Sequence, residues 1–220
     1  ARAKTGVPLL IGTAGTCGAD SAVDWMLDIT LEIARERGER LKIATLKSGQ
    51  DKAFVCEALE NGMVTPLDAA PNIDSGIVRD TSNIVALAGI EQIQAALDTG
   101  ADIVIAGRAT DTAVIAALPI ARGCHRGAAW HGAKIAECGA LATTNPNSGV
   151  ILMTFDDTGF TIEPMAEDAA ATPYTVSAHM LYENADPFIL HEPGGYLDVS
   201  QARYTALDDR VVRVEGSQWV

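Results

Sequence analysis

Ala101-Asp102-Ile103-Val104-Ile105-Ala106-Gly107-Arg108-Ala109-Thr110-Asp111-Thr112 is the stretch from which the fold of this chain can be read. Asp102–Ala106 is apolar on both faces, and such a strand belongs in a parallel sheet covered on both sides. Gly107 relieves crowding at its end, and Thr110 or Asp111 can cap the helix that follows. From Asp111 to Ala142 the pattern is helical, with a break at Gly123–Gly127. Upstream, Gly6–Ile11 and Leu41–Leu46 repeat the apolar strand, and Ile84–Ala88 is strand-like. Helical patterns lie between: Asp20–Arg37, with Val23, Leu27, Leu31 and Ala34 on one face and Gly38 as its stop, then Asp51–Asn61 and Glu91–Asp98.

Past Thr143 the grammar changes. Val150–Phe155 and Phe160–Pro164 flank Asp156-Asp157-Thr158-Gly159 as a hairpin, Thr172–Tyr182 reads as a helix entered through Pro173, and Tyr204–Ala206 and Val211–Glu215 flank a second turn. The expected fold is α/β: a parallel sheet with flanking helices, followed by a smaller antiparallel α+β part. The expected domains are 1–145, a ligand-binding core, and 146–220.

The chain has 220 residues, 48% of them hydrophobic, with 16 Lys and Arg against 29 Asp and Glu and a net charge of −13. That sign argues against nucleic acid, whose binding needs clustered cations. The charge is uneven: residues 1–142 hold 13 basic and 17 acidic side chains, the remainder 3 and 12, and no Lys or Arg lies between Lys134 and Arg203. Apolar strand patterns interleave the acidic half, so it reads as folded. Cys17, Cys56, Cys124 and Cys138 have no paired spacing. Without a signal peptide or an apolar run near 18 residues, a reducing cytoplasm and no membrane association are expected. The opening Ala1-Arg2-Ala3-Lys4 reads like the last turn of a helix feeding a strand, as in the middle of a longer protein.

Ligands of open parallel sheets collect beyond the carboxyl ends of strands, and three loops occupy that position. Gly12, Thr13, Gly15, Thr16 and Gly18 belong to a turn spaced G-x-x-G-x-x-G, either an anion site for a carboxylate or phosphate or a tight turn capped by threonines. It is neither the dinucleotide fingerprint nor a P-loop. Lys47 and Lys52 can neutralise an acidic substrate or form a solvated turn. Arg108 can fork onto a carboxylate or pair with Asp111. His131, Lys134 and Cys138 share roughly one helix face with Glu137 beside them, and His131 is a candidate acid or base or a satisfied core histidine. The spacing of Cys124, His125, His131 and Cys138 matches no zinc signature, so no metal is expected. Tyr182–Pro187 and His191–Gly195 concentrate titratable groups, and Glu192 can act in acid–base chemistry or sit on a solvated loop.

Together these stretches resemble the acyclic terpene utilisation (AtuA-like) family. The likeness rests on Ile11–Thr16, Val23–Trp25, Gln50–Lys52, Gly100–Ala113, Trp130-His131, Lys134–Gly139, His179–Pro187, Glu192–Gly195 and Ala206–Ser217, and runs from about Pro8 to the end. The chain resembles a central portion of that family's longer members. The resemblance implies catabolism of citronellol-type terpenes through CoA thioesters, and a hydro-lyase (hydratase) acting on a branched unsaturated acyl-CoA or a related carboxylate. It implies no cofactor beyond CoA as part of a substrate, and a small partner subunit for some members. A homo-oligomer is expected. In the enzyme reading, Gly12–Gly18 and Arg108 hold the carboxylate or thioester, Lys47 or Lys52 neutralises it, and Asp111, His131 or Glu192 moves the proton. The competing reading is a non-catalytic metabolite-binding or scaffold subunit, motivated by the stretch without Lys or Arg.

Overall fold

A computed structural model describes residues 2–147 and 149–220. Contacts divide the chain into two compact units, 1–88 with 99–109, and 89–98 with 110–220. The change of grammar at 143–149 therefore falls inside the second unit.

The first unit contains α1 (Arg2–Thr5), β1 (Leu9–Ile11), α2 (Asp20–Arg37), β2 (Ile43–Leu46), α3 (Lys52–Glu60), α4 (Ser75–Asp80) and β3 (Ile103–Ala106). The strands form a parallel sheet in the order β1-β3-β2, with Leu9 and Ile43 both opposite Ile103. The strand apolar on both faces is thus the central one, and all four of its residues are buried. Val23 of α2 packs with Ala14, Ile103 and Ile105, supported by Met26, Leu27, Leu41 and Ile43. Leu31, expected on this face, is 37% exposed. Gly38 stops α2 as expected, its left-handed backbone letting the N–H reach the carbonyls of Ala34 and Arg35.

Ile84–Ala88 is not a sheet strand. Val85 bridges Gly49 and Ala88 bridges Ala109, and Ala86 donates to the Ser48 carbonyl. This apolar run therefore satisfies its backbone on the turns that follow β2 and β3 rather than alongside either strand.

The second unit holds α5 (Ile90–Asp98), α6 (Asp111–Ala121), α7 (Arg126–Ala136), a 3₁₀ turn at Gly139–Ala142, β4 (Ile151–Phe155), β5 (Gly159–Pro164), α8 (Pro173–Ala178) and a 3₁₀ turn at His179–Leu181, followed by β6 (Ile189–Glu192), β7 (Gly195–Asp198), β8 (Arg203–Ala206), β9 (Val212–Glu215) and β10 (Gln218–Trp219). Two antiparallel sheets result, β4-β5-β9-β8 and β10-β7-β6. Both expected hairpins are present. Helix α7 is buried from Gly127 to Ile135 and touches strands of both sheets. Small side chains permit this closeness: a Cβ on Gly127 would lie 2.5 Å from the Ser217 carbonyl oxygen. The small sheet β10-β7-β6 has no counterpart in the hydropathy pattern, because β10 is two residues long and β6 carries His191 and Glu192. The architecture is mixed α/β, a parallel sheet with helices followed by antiparallel sheets.

Candidate active site

In the second unit a cleft of about 290 Å³ gathers Thr112 from α6, Lys134 and Glu137 from the end of α7, Glu183 from the loop after α8, and His191 and Glu192 from β6. Each arrives for a local reason. Thr110 caps α6 by accepting from the Ala113 amide at 3.0 Å, which sets Thr112 in the first turn. The Thr112 hydroxyl donates to Glu192 Oε1, and Thr110 supplies a second hydroxyl to the same carboxylate. Lys134 Nζ donates to Glu137 Oε1 one turn along α7, and both side chains are only 10% exposed. Glu183 has φ +58°, the left-handed region that side chains rarely adopt, so the cleft wall bends there at some cost.

Burial is the first cause of the electrostatics. It pushes the Glu192 carboxyl above the ordinary 4.5, and the negative charge of Asp111 pushes the same way, while Thr112, Thr110 and Lys134 oppose the shift. Glu137 is also raised, first by burial and further by Asp111 and Glu192, against the pull of its Lys134 partner. Two carboxyl groups with raised proton affinity thus share one ammonium group. Such a pair holds its protons more tightly than ordinary carboxylates do, and their unequal pairing separates an acid role from a base role.

Of the residues singled out from the sequence, Glu192 lies in this cleft, and the charge of Asp111 reaches Glu192 and Glu137 from the exposed first residue of α6. His131 does not line it. The ring is fully buried, with Nδ1 2.7 Å from Ser217 Oγ and Nε2 3.3 Å from the Tyr204 hydroxyl, and it meets Phe160 and Tyr204 edge-on. Burial pushes its pKa down to about 3, so a neutral, satisfied core histidine replaces the expected proton carrier.

The remaining candidates lie in the first unit. In the glycine turn, the amides of Thr13, Ala14, Thr16, Cys17 and Gly18 all donate to backbone carbonyls, so those five N–H groups are spent within the fold. That geometry is a tight turn rather than an anion cradle, with Thr13 and Thr16 joining Gly15 and Gly18 at positive φ. The turn and Arg108 do adjoin: Arg108 N donates to Gly18 O at 3.2 Å, and a Cβ on Gly18 would lie 2.3 Å from that nitrogen. The Arg108 side chain is exposed. Lys47 pairs with Asp24 at 2.8 Å. Lys52 donates to the Arg79 carbonyl at 2.9 Å and borders a separate cleft of about 350 Å³ with Asp20, Gln50 and Asn83.

Glu137, Thr112 and Glu183 complete the cleft and were not singled out as catalytic from the sequence. In the sequence Glu137 stands beside His131 and Lys134, but only the helix's seating turns His131 inward and leaves Lys134 and Glu137 at the cleft. Among the described residues no group of three or more His, Cys, Asp or Glu is arranged to hold a metal ion, and no helix is long and apolar enough to cross a membrane.

The family model described as acyclic terpene utilisation family protein AtuA matches residues 10–219. No curated protein and no solved structure matches the chain. With the match running through the glycine turn, α6, α7 and both strands of the hairpin that carries Glu192, the chain belongs to the acyclic terpene utilisation (AtuA) family.

Proposed function

We propose that this member of the acyclic terpene utilisation family is a hydro-lyase that adds water to, or removes it from, a branched unsaturated acyl group, with its chemistry in the second unit's cleft. The observation that carries this reading is the pair Glu192 and Glu137, both raised in proton affinity by burial and both beside Lys134. Hydration of a double bond conjugated to a carbonyl needs a base for the attacking water, an acid for the adjacent carbon and a positive group for the carbonyl oxygen. Glu137, paired with the Lys134 ammonium, is the base. Glu192, held by hydroxyls rather than by a cation, carries the proton. Lys134 polarises the carbonyl, Thr112 fixes the Glu192 rotamer, and Asp111 supports both carboxyl groups' affinity for protons. In the dehydration direction the two carboxyl groups exchange roles.

The test is turnover of unsaturated acyl thioesters by the purified chain, wild type against Glu192→Gln and Glu137→Gln of unchanged melting temperature. Each variant is expected to lose about 10²–10⁴-fold in kcat. The wild-type pH profile should be bell-shaped with both limbs displaced upward from ordinary carboxylate values. Retention of full activity by Glu192→Gln would remove this assignment. A scaffold or metabolite-binding subunit would show no turnover at all.

A further inference from the structure

His179 opens the 3₁₀ turn that follows α8, is 4% exposed and stacks on Tyr182 with ring centroids 5.6 Å apart. Its ring hydrogen-bonds the backbone of Lys134, and because that bond favours the protonated ring, the ring donates and the Lys134 carbonyl accepts. Nε2 is buried without a partner, which makes Nδ1 the donor. Lys134 lies in the last turn of α7, where helix carbonyls run out of amides to accept from. Glu137 N closes the helix on the Ala133 carbonyl at 3.0 Å, and no amide among the described residues outside the helix reaches the carbonyl of Lys134. The imidazole supplies the missing donor. Its own backbone is held at both ends: the amide donates to Thr175 and Ser177, and the carbonyl accepts from Tyr182 N at 2.9 Å. Glu183 of the cleft wall comes next in the chain. His179 therefore ties the wall that carries Glu183 to the helix end that carries Lys134 and Glu137. A side chain kept only to fill this space would be apolar, since an unmatched buried lone pair is costly and rare.

We propose that His179 is a positioning residue of the cleft: by capping the Lys134 carbonyl it fixes the last turn of α7, and with it the directions in which Lys134 and Glu137 point. His179 does not line the cleft, so it acts through these two side chains and not on a substrate. The inference rests on the cleft being the reaction site. Groups that polarise a carbonyl and move a proton must be held closely, and a displacement of about 1 Å costs on the order of 10²-fold in rate.

The experiment compares His179→Asn with His179→Leu in the full chain, with His179→Met in place of leucine if that variant does not fold. Asparagine sets an amide N–H where Nδ1 stands and keeps the donor, whereas leucine fills the space and removes it. Two readouts are taken: steady-state kinetics on unsaturated acyl thioesters, and the solvent-exchange rate of the Lys134 ammonium protons by ¹⁵N NMR, which needs no substrate. His179→Leu is expected to lose about 10–100-fold in kcat with KM within about threefold, and His179→Asn to recover most of that loss. The Lys134 ammonium should exchange roughly tenfold faster in the leucine variant and stay close to wild type in the asparagine variant. Packing alone predicts the opposite order, because leucine fills the site better and should have the higher melting temperature. Rates and ammonium exchange that follow melting temperature, or a leucine variant equal to wild type, overturn the proposal. If the wild type turns over no thioester while the ammonium contrast holds, the hydro-lyase reading fails and the seating of Lys134 by His179 stands. If turnover is intact and the ammonium contrast is absent, the role of His179 fails alone.

Discussion

The glycine turn of the first unit and the carboxylate cleft of the second differ in how they use their polar groups. In the turn, five consecutive-region amides from Thr13 to Gly18 are consumed by carbonyls of the turn itself and of Ala106 and Gly107. Every bond made there stabilises a sharp reversal and leaves less to offer a ligand. In the cleft, Glu192 and Glu137 are held by neighbours yet kept in an environment that costs their charged forms, so they retain an unspent capacity to bind protons. A conspicuous motif can thus be structural while a site assembled from scattered residues keeps its chemistry available.

The largest expected effect sharpens this contrast directly. Glu192→Gln should lower kcat on acyl thioesters by about 10²–10⁴-fold, whereas Arg108→Ala should lower it by less than about tenfold. Steady-state kinetics on folded variants decide the matter, and the reverse order of effects would move the chemistry to the first unit.

Next in size is Gly18→Ala. The new Cβ would sit 2.3 Å from Arg108 N with the backbone at φ +69°, so overpacking and left-handed strain add to about 3 kcal/mol of destabilisation. Chemical denaturation would register it, and a neutral result would mean that the turn is loose enough to rearrange around a ligand.

Acid sensitivity of the second unit comes third. His131 is held neutral in the fold with its pKa pushed from 6.5 down to about 3 by burial, so the unfolded chain binds the proton first. Stability from this group is therefore complete above about pH 6.5 and declines by ~1.4 kcal/mol per pH unit below it. His179, also lowered chiefly by burial, adds in the same direction. The melting temperature of His131→Gln, though lower at neutrality, should depend less steeply on pH between 6.5 and 5. An unchanged slope would show that the ring is not buried in solution.

The smallest effect is that of Asp111→Asn. Removing this charge lowers the proton affinity of Glu137 and Glu192, so the pH–rate profile should move toward acid by a few tenths of a unit with little loss at its maximum. A loss as large as that of Glu192→Gln would instead mean that Asp111 touches the substrate.

Local patterns made much of the fold legible. The apolar run Ile103–Ala106 announced a central parallel strand, Gly38 the end of α2, and Asp156–Gly159 a hairpin whose Asp156 accepts from the amides of Thr158 and Gly159 at 2.9 Å. Ile84–Ala88 misled because an apolar run states only that a segment is covered, and this one is covered while bridging two turns. The sheet of β6, β7 and β10 was hidden because a two-residue strand has no periodicity to read. In the site, Glu192 drew attention through a dense local cluster of titratable groups. Thr112 had no such signal, since a hydroxyl becomes a carboxylate's partner only when two segments 80 residues apart in sequence meet.

By itself the sequence determined the longer helices α2, α3, α5, α6 and α7, the strand Ile103–Ala106 that is apolar on both faces, the acidic balance of −13 and membership of the acyclic terpene utilisation family, whereas the six-residue helix α4 was too short to show a period. All of these are set by short-range order along the chain, where side-chain period and turn chemistry act within a few residues. Tertiary structure alone decided that α7 buries His131 and presents Lys134 and Glu137, and that these meet Glu192 in one cleft. The physical reason is that burial and proximity fix proton affinity, and both belong to the packed arrangement rather than to any residue's identity.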